Sequence, residues 1–159
     1  MPSFEPKRIC CVLEGGHAWD VPLDAAISLA LRYGAVLVFL HLDQAAHLLS
    51  GEDLAAGGLS RGEMAARVVA TSERLFAETR SVADRAGVEV LGRSLRQCQS
   101  DQDALGFLRE EAIDLLVLDG GASNEPLGAV FRTHAERLAH RAPCPALLVR
   151  RTEGATPGA

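Results

Sequence analysis

The chain has 159 residues, of which 48% are apolar, 23% charged and 4% aromatic, and its formal net charge is −5. These values predict one globular domain with a single core and exclude a disordered chain. The longest purely apolar run, Ala35 to Leu40, is far shorter than the roughly 20 residues of a membrane span. The excess of acidic over basic residues argues against a nucleic-acid partner. The first 13 residues lack the apolar core of a signal peptide. We therefore expect a cytoplasmic protein with neither a membrane nor a nucleic-acid partner.

The cysteines predict neither a metal site nor redox chemistry. They stand at positions 10, 11, 98 and 144 and form no C-x-x-C pair. Adjacent Cys10 and Cys11 would point to opposite faces of a strand, so we interpret them as reduced small hydrophobic residues. Another group of potential ligands matches no known metal spacing: His17, Asp20 and Asp24.

The first third of the chain predicts a strand, a helix and a strand. Ile9–Leu13 is a short apolar run that ends at Glu14, which is typical of a strand buried on both faces. Asp20 is a suitable N-cap for a helix that Gly34 ends. Ala35–Leu42 is a second buried strand.

The middle of the chain predicts a loop, a long helix and an edge strand. Gln44–Leu59 is irregular, and Ser60–Glu63 forms a capping box that opens a helix reaching Gly87. Val88–Leu95 is more polar, which favours a strand at the edge of a sheet. The core-facing stripe predicted for the helix is Met64, Val68, Thr71, Leu75, Val82 and Ala86.

The last third predicts two further helix–strand units. Ser100 caps a helix that ends near residue 112, and Leu115–Leu118 is the fourth strand. Asp119–Ala129 is a loop, and Thr133–Glu136 is a second capping box, whose helix ends near residue 141. Ala146–Val149 is the fifth strand. We divide the chain into an arm (1–6), a domain (7–150) and a flexible tail (151–159).

Strands that alternate with helices and read as apolar runs predict an α/β fold, with a doubly wound parallel sheet and helices on both faces. In such sheets ligands bind beyond the carboxyl ends of the strands, where the strand order reverses. For a sheet of this kind that point lies near strand 1. The loops after strands 1 and 4 then form the crevice, and they carry Gly15-Gly16 and Gly120-Gly121.

Three segments together resemble a universal stress protein domain over residues 7–150. They are the strand and turn from Ile9 to Gly16, the alanine-rich helix and strand of Ala25–Leu42, and the C-terminal block. In that block, Ala142-Pro143-Cys144-Pro145 followed by an apolar strand is the most specific feature. The resemblance implies a five-stranded sheet of order 3-2-1-4-5, similar to the adenine nucleotide alpha-hydrolase fold.

The resemblance also implies a homodimer formed through strand 5. The sequence offers an independent reason, because an uncovered apolar edge strand invites pairing, and pairing across a two-fold axis covers both edges. The predicted dimer edge consists of Ala146, Leu147, Leu148 and Val149.

One branch of the family binds ATP through a fingerprint after strand 4: Gly, two residues, Gly, nine residues, Gly, then Ser or Thr. Here the three glycines become Asp119, Ala122 and Arg132, and Thr133 alone keeps its type. A carboxylate about 4 Å from a phosphate costs on the order of 4 kcal/mol at an effective dielectric near 20. We hypothesise that Asp119 pairs with Arg132 and fills the phosphate site.

The family's Asp at the end of strand 1 is replaced by Glu14. The candidate nucleotide crevice comprises Glu14, Gly15, Leu42, Asp119, Gly120, Gly121, Ala122, Arg132 and Thr133.

The lost glycines favour a non-catalytic regulatory or stress-response homodimer with a degenerate nucleotide site, no tightly bound cofactor and an unidentified protein partner. The alternative is a nucleotide-dependent sensor that binds ATP or AMP, since the spacing of the fingerprint is preserved. We predict no enzyme, because neither a nucleophile elbow nor a P-loop lysine is present.

Overall fold

The computed structural model describes residues 3–14, 19–42, 58, 60–91, 96–98, 100–120 and 134–150. Within these residues, five strands alternate with four helices. The strands are β1 (Arg8–Glu14), β2 (Val36–Leu42), β3 (Arg96–Cys98), β4 (Leu115–Asp119) and β5 (Ala146–Val149). The helices are α1 (Asp20–Tyr33), α2 (Arg61–Ala86), α3 (Asp101–Glu110) and α4 (His134–Arg141).

The strands form one parallel sheet of order β3-β2-β1-β4-β5. β1 lies in the centre and pairs with β2 along its whole length, from Arg8 opposite Val36 to Glu14 opposite Leu42. The strand order reverses between β1 and β4. The predicted α/β class with a parallel sheet is confirmed.

Helices cover both faces of the sheet, as predicted. The first face carries Cys11 of β1 and packs against α1 and α2, whereas the second face carries Cys10 and packs against α3 and α4. The two adjacent cysteines therefore lie in different halves of the core, which the alternation of side chains along a strand requires. On the second face, Leu138 of α4 is fully buried.

Helix α1 begins one residue earlier than the sequence suggested. Its N-cap is Trp19, which makes no side-chain capping hydrogen bond, and Asp20 is the first helical residue. The prediction that Asp20 caps the helix is therefore wrong, although a carboxylate in the first turn still interacts favourably with the helix dipole. The helix ends as predicted at Gly34, which has φ 62°, a conformation that strains any residue with a side chain.

Helix α2 opens with the predicted capping box. Ser60 Oγ accepts from the backbone N–H of Glu63 at 3.2 Å, and the Glu63 carboxylate accepts from the backbone N–H of Ser60 at 2.7 Å. The predicted stripe is only partly right, because Thr71 and Ala86 are exposed. The fully buried positions are Ser72, Leu75, Thr79 and Ala83. Thr79 can be buried although it is polar, because its hydroxyl donates to Leu75 O at 2.8 Å.

The N-terminal half of α2 extends past the carboxyl edge of the sheet. Phe76 of α2 contacts His41, the second-last residue of β2, with ring centroids 6.2 Å apart. The helix runs back from the end of β2, so residues 61–72 lie beyond that contact, at a rise of about 1.5 Å per residue. None of the α2 residues before Ser72 is buried.

The third strand departs from the prediction of Val88–Leu95. Val90 makes an isolated bridge to Leu37, and regular pairing with β2 starts only where Arg96 lies opposite Leu40. From Val90 to Arg96 the chain advances by six residues while the partner positions on β2 advance by three. Among the described residues, the third strand is the three-residue segment β3, Arg96–Cys98.

At the amino edge of the sheet, Asp114 joins the starts of β1 and β4. Its carboxylate accepts from the backbone N–H groups of Lys7 and Arg8 at 2.8 and 2.9 Å. The N–H of Asp114 donates to Arg8 O at 3.0 Å, and the Arg8 guanidinium donates to Glu111 O at 2.8 Å. The register of the two central strands is thus held at this end.

In the parts of the chain that the structure describes, no helix has the length and apolar character to cross a membrane.

Candidate functional site

The candidate site lies at the carboxyl edge of the sheet, where β1 and β4 diverge. β2 and β3 extend to one side of this point, and β4 and β5 to the other. Peptide N–H and C=O groups at such a switch point face an open crevice, which is where ligands of doubly wound sheets bind.

Glu14 and Leu42 end β1 and β2 side by side. They lie opposite each other in the register, and Leu42 is 1% exposed and packs in the core of the second face. Glu14 is partly exposed and alternates with Cys10 and Val12 of the same core, so its side chain belongs to the second face. The structure therefore brings these two predicted site residues together.

Asp119 ends β4 on the opposite face. It lies opposite Val149, which packs against the core of the first face, and it alternates with Val117 of the same core. Glu14 and Asp119 are both predicted members of the candidate nucleotide crevice. Alternation along β1 and β4 puts their side chains on different faces of the sheet. The repulsion expected from Asp119 is therefore smaller for a phosphate on the Glu14 face.

Gly120 takes the position between β1 and β5 on the Glu14 face. β1 and β4 pair only as far as Cys11 opposite Val117, and Gly120 lies as many residues beyond that pair as Glu14 does. The Gly120 N–H donates to Val149 O at 2.7 Å, which completes the pairing of Asp119 with Val149. Gly120 is buried and has no side chain to place on this face of the sheet.

Arg150 is a residue whose position sequence reasoning missed. A Cβ atom at Gly120 would lie 2.8 Å from Arg150 Cγ, 3.2 Å from Arg150 Nε and 3.3 Å from Val149 O. The Arg150 side chain therefore folds back over Gly120. In the sequence this arginine is one of several in the basic segment 132–151, a pattern typical of a solvent-exposed face. The pairing of β4 with β5 was the signal that could have singled it out.

Several predicted site residues lie outside the described residues: Gly15, Gly121, Ala122, Arg132 and Thr133. The hypothesis that Asp119 pairs with Arg132 stays a prediction for the same reason.

His41 is a buried imidazole close to the carboxyl edge. It is 1% exposed and lies opposite Leu13 in the register. Its edge-on contact with Phe76 places the ring under α2, on the first face. It is therefore part of the core beneath the overhanging helix and lies on the other face from Glu14.

Two of the cysteines, Cys11 and Cys144, have thiols of raised pKa. Complete burial raises the pKa of the Cys11 thiol far above its ordinary value. The pKa of Cys144 is also raised, first by burial and then by the nearby carboxylate of Asp114. Thiolates, which react and bind metals, are therefore disfavoured at both positions. Among the described residues, no group of three or more His, Cys, Asp or Glu side chains is arranged to hold a metal ion.

The chain belongs to the universal stress protein family, whose sequence profile matches residues 5–150. The resemblance noted from the sequence is thus confirmed. No protein of curated function matches the chain.

Solved structures of the family have the same fold. A universal stress protein family member from Burkholderia pseudomallei has a TM-score of 0.65 and 22% identity, over 92% of this chain and 98% of that one. A universal stress protein in complex with cAMP has a TM-score of 0.62 and 17% identity, over 93% and 99% of the two chains. One from Archaeoglobus fulgidus in complex with dAMP has a TM-score of 0.56 and 13% identity, over 92% and 99%. At these identities the likeness concerns the fold.

Proposed function

We propose that this chain is a non-catalytic regulatory protein of the stress-response type, which acts as a homodimer and carries a degenerate nucleotide site. In this proposal the crevice holds a small adenine nucleotide weakly and does not bind ATP tightly. The observation that carries it is the Glu14 carboxylate at the carboxyl end of β1, where the strand order of the sheet reverses. A carboxylate at that point suits the hydroxyls of a ribose, which donate hydrogen bonds to it.

Two further findings support a weak site. Relatives of the same fold were solved with cAMP and with dAMP, both of which carry one phosphate group. In this chain the three fingerprint glycines are replaced by Asp119, Ala122 and Arg132. Side chains at those positions limit the close backbone approach that a triphosphate requires.

The non-catalytic part of the proposal is supported by the chemistry of the buried thiols. The raised pKa values of Cys11 and Cys144 remove two groups that would otherwise be candidates for covalent catalysis.

The nucleotide part is tested by calorimetric titration of the purified protein with adenosine, AMP, cAMP and Mg-ATP at one ionic strength. We expect saturable binding of AMP or cAMP and weaker binding of ATP. Stoichiometric, tight ATP binding, or no saturable binding of any adenine compound, would contradict the proposal. Measuring ATP turnover in the same samples tests the absence of catalysis.

The dimer part rests on the outer edge of β5. Leu147 and Leu148 are 39% and 36% exposed, and Ala146 is exposed as well. The carbonyls of Pro145 and Val149 accept from β4, so alternation directs the backbone groups of Leu148 away from the sheet. These outward groups are free to pair with a second copy.

Leu148→Pro is the sharpest test of this interface, because it removes one outward N–H without removing a hydrogen bond to β4. We expect the wild type to sediment as a dimer and the variant as a folded monomer with unchanged helical circular dichroism. Leu31→Glu, at a 55% exposed position on α1, is the matched control and should stay dimeric. A monomeric wild type would refute the dimer.

A further inference from the structure

A cationic side chain reaches the crevice from the sheet's outer strand. Arg150 follows β5, yet its Cγ and Nε lie within 2.8 and 3.2 Å of where a Gly120 Cβ would be. Its aliphatic stem therefore lies across the end of β4 instead of continuing past the end of β5. The missing side chain at Gly120 is what makes room for it.

The register extends this contact into a row on one face of the sheet. Asp119 lies opposite Val149, so Gly120 and Arg150 are the next residues of β4 and β5. On the other side, the pairing of β1 with β4 ends at Cys11 opposite Val117, and Glu14 and Gly120 each lie three residues beyond that pair. Side-chain alternation puts both positions on the face against which α4 packs. Glu14, Gly120 and Arg150 make up this row.

The charged end of Arg150 is available to a ligand. The residue is exposed, and among the described residues no carboxylate lies within ion-pair distance of its guanidinium. A guanidinium whose stem is held in place, with its donors still in water, loses little entropy when it binds an anion. Its planar fork matches the oxygens of a phosphate group.

We propose that Arg150 contacts the phosphate of the nucleotide and makes this site selective for a nucleoside monophosphate over a triphosphate, an inference that rests on the proposed function. A monophosphate ester carries about −1.5 to −2 charges, of which a single arginine neutralises about half to two-thirds. A triphosphate adds two anionic groups. Glu14, two strands away on the same face, disfavours them, and the described residues of this row supply no second cation.

The test compares three ligands and four proteins by calorimetry. Adenosine, AMP and Mg-ATP are titrated into the wild type, Arg150→Gln, Arg150→Lys and Arg141→Gln at one ionic strength. Arg141 is the matched control, because it is an exposed arginine at the far end of α4. We expect Arg150→Gln to weaken AMP binding on the order of tenfold and to leave adenosine binding unchanged. The AMP affinity of Arg150→Lys should lie between those of the wild type and Arg150→Gln, and that of Arg141→Gln should match the wild type.

A second variant tests the same contact without touching the charge. In Gly120→Ala the new Cβ displaces the Arg150 stem, so AMP affinity should fall although the arginine is present. Thermal unfolding of each variant shows that it is folded. Combining Gly120→Ala with Arg150→Gln should weaken AMP binding no further than Arg150→Gln alone.

The outcomes separate the two proposals. If the wild type binds AMP but Arg150→Gln binds it equally well, the role of Arg150 is refuted and the proposed function stands. The same conclusion follows if Arg150→Gln weakens adenosine and AMP equally. Tighter binding of ATP than of AMP by the wild type refutes the selectivity. If the wild type binds none of the three compounds, this inference fails, and the nucleotide part of the proposed function fails with it unless cAMP binds.

Discussion

The two ends of the central strands use their polar groups in different ways. At the amino edge, the Asp114 carboxylate accepts hydrogen bonds from the backbone of Lys7 and Arg8 and so joins β1 to β4. At the carboxyl edge, Glu14 and Asp119 end the same two strands on opposite faces, and Gly120 leaves the gap that Arg150 covers. The amino edge is therefore held together by side-chain hydrogen bonds to the backbone, whereas the carboxyl edge carries the residues of the proposed nucleotide site.

The largest effect is expected at the amino edge. Asp114→Ala removes the acceptor of two backbone N–H groups that join β1 to β4, and the charge-assisted character of these bonds predicts a loss of about 2 kcal/mol in the free energy of unfolding. Asp114→Asn keeps one acceptor oxygen and should lose less. Urea denaturation monitored by circular dichroism measures both.

Asp84→Ala is the control for this prediction. Its ion pair with Arg80, at 3.9 Å, lies on the exposed surface of α2, and such pairs contribute roughly 0–1 kcal/mol. Equal destabilisation by Asp84→Ala and Asp114→Ala would remove the distinction between the amino edge and an ordinary exposed carboxylate.

The second effect lies beyond the carboxyl edge, on α2. Ser72 is 3% exposed, and the described residues offer its hydroxyl no hydrogen-bond partner. An unsatisfied buried hydroxyl costs roughly 1–3 kcal/mol, so Ser72→Ala should stabilise the fold by about 1 kcal/mol, once the small loss of packing is included.

Thr79, two turns further along α2, is the matched residue. It is fully buried, and its hydroxyl donates to Leu75 O, so Thr79→Val should destabilise the fold by roughly 0.5–1.5 kcal/mol. Thermal and urea unfolding of the two variants should therefore give opposite signs. Destabilisation by Ser72→Ala would show that the hydroxyl is satisfied, and the contrast between the two buried hydroxyls of α2 would be lost.

Elements with short-range signals were predictable from the sequence. The strand at Ile9–Leu13, the stop at Gly34 and the capping box at Ser60–Glu63 each depend on a few neighbouring residues, and the structure contains all three. The class of fold followed from the alternation of such elements.

Features that depend on register between distant strands were not predictable in this way. Glu14 and Asp119 both end central strands, but the face of each is decided by pairing between segments about 100 residues apart. The third strand pairs with β2 from Arg96 opposite Leu40, although Val90 already lies opposite Leu37. The contact of Arg150 with Gly120 likewise requires the pairing of β4 with β5. Local patterns carry no information about any of these three.

The smallest effect concerns pH at the start of α2, the part of the helix farthest beyond the carboxyl edge. The pKa of Glu63 is held below its ordinary value of 4.5, first by the hydrogen bond from the Ser60 backbone and then by that from the Ser60 side chain. A carboxyl group whose pKa is lowered by folding contributes stability above its unfolded pKa and loses it as pH falls through the folded one. Glu63→Gln should therefore be less stable than the wild type near neutral pH, and the two should converge below about pH 4.5. The difference stays small because Glu63 is exposed to solvent. Urea midpoints measured at several pH values test the convergence, with Glu73→Gln at an exposed mid-helix position as the control. A gap between wild type and Glu63→Gln that stays constant into acid would show that the charge of Glu63 plays no part in the cap.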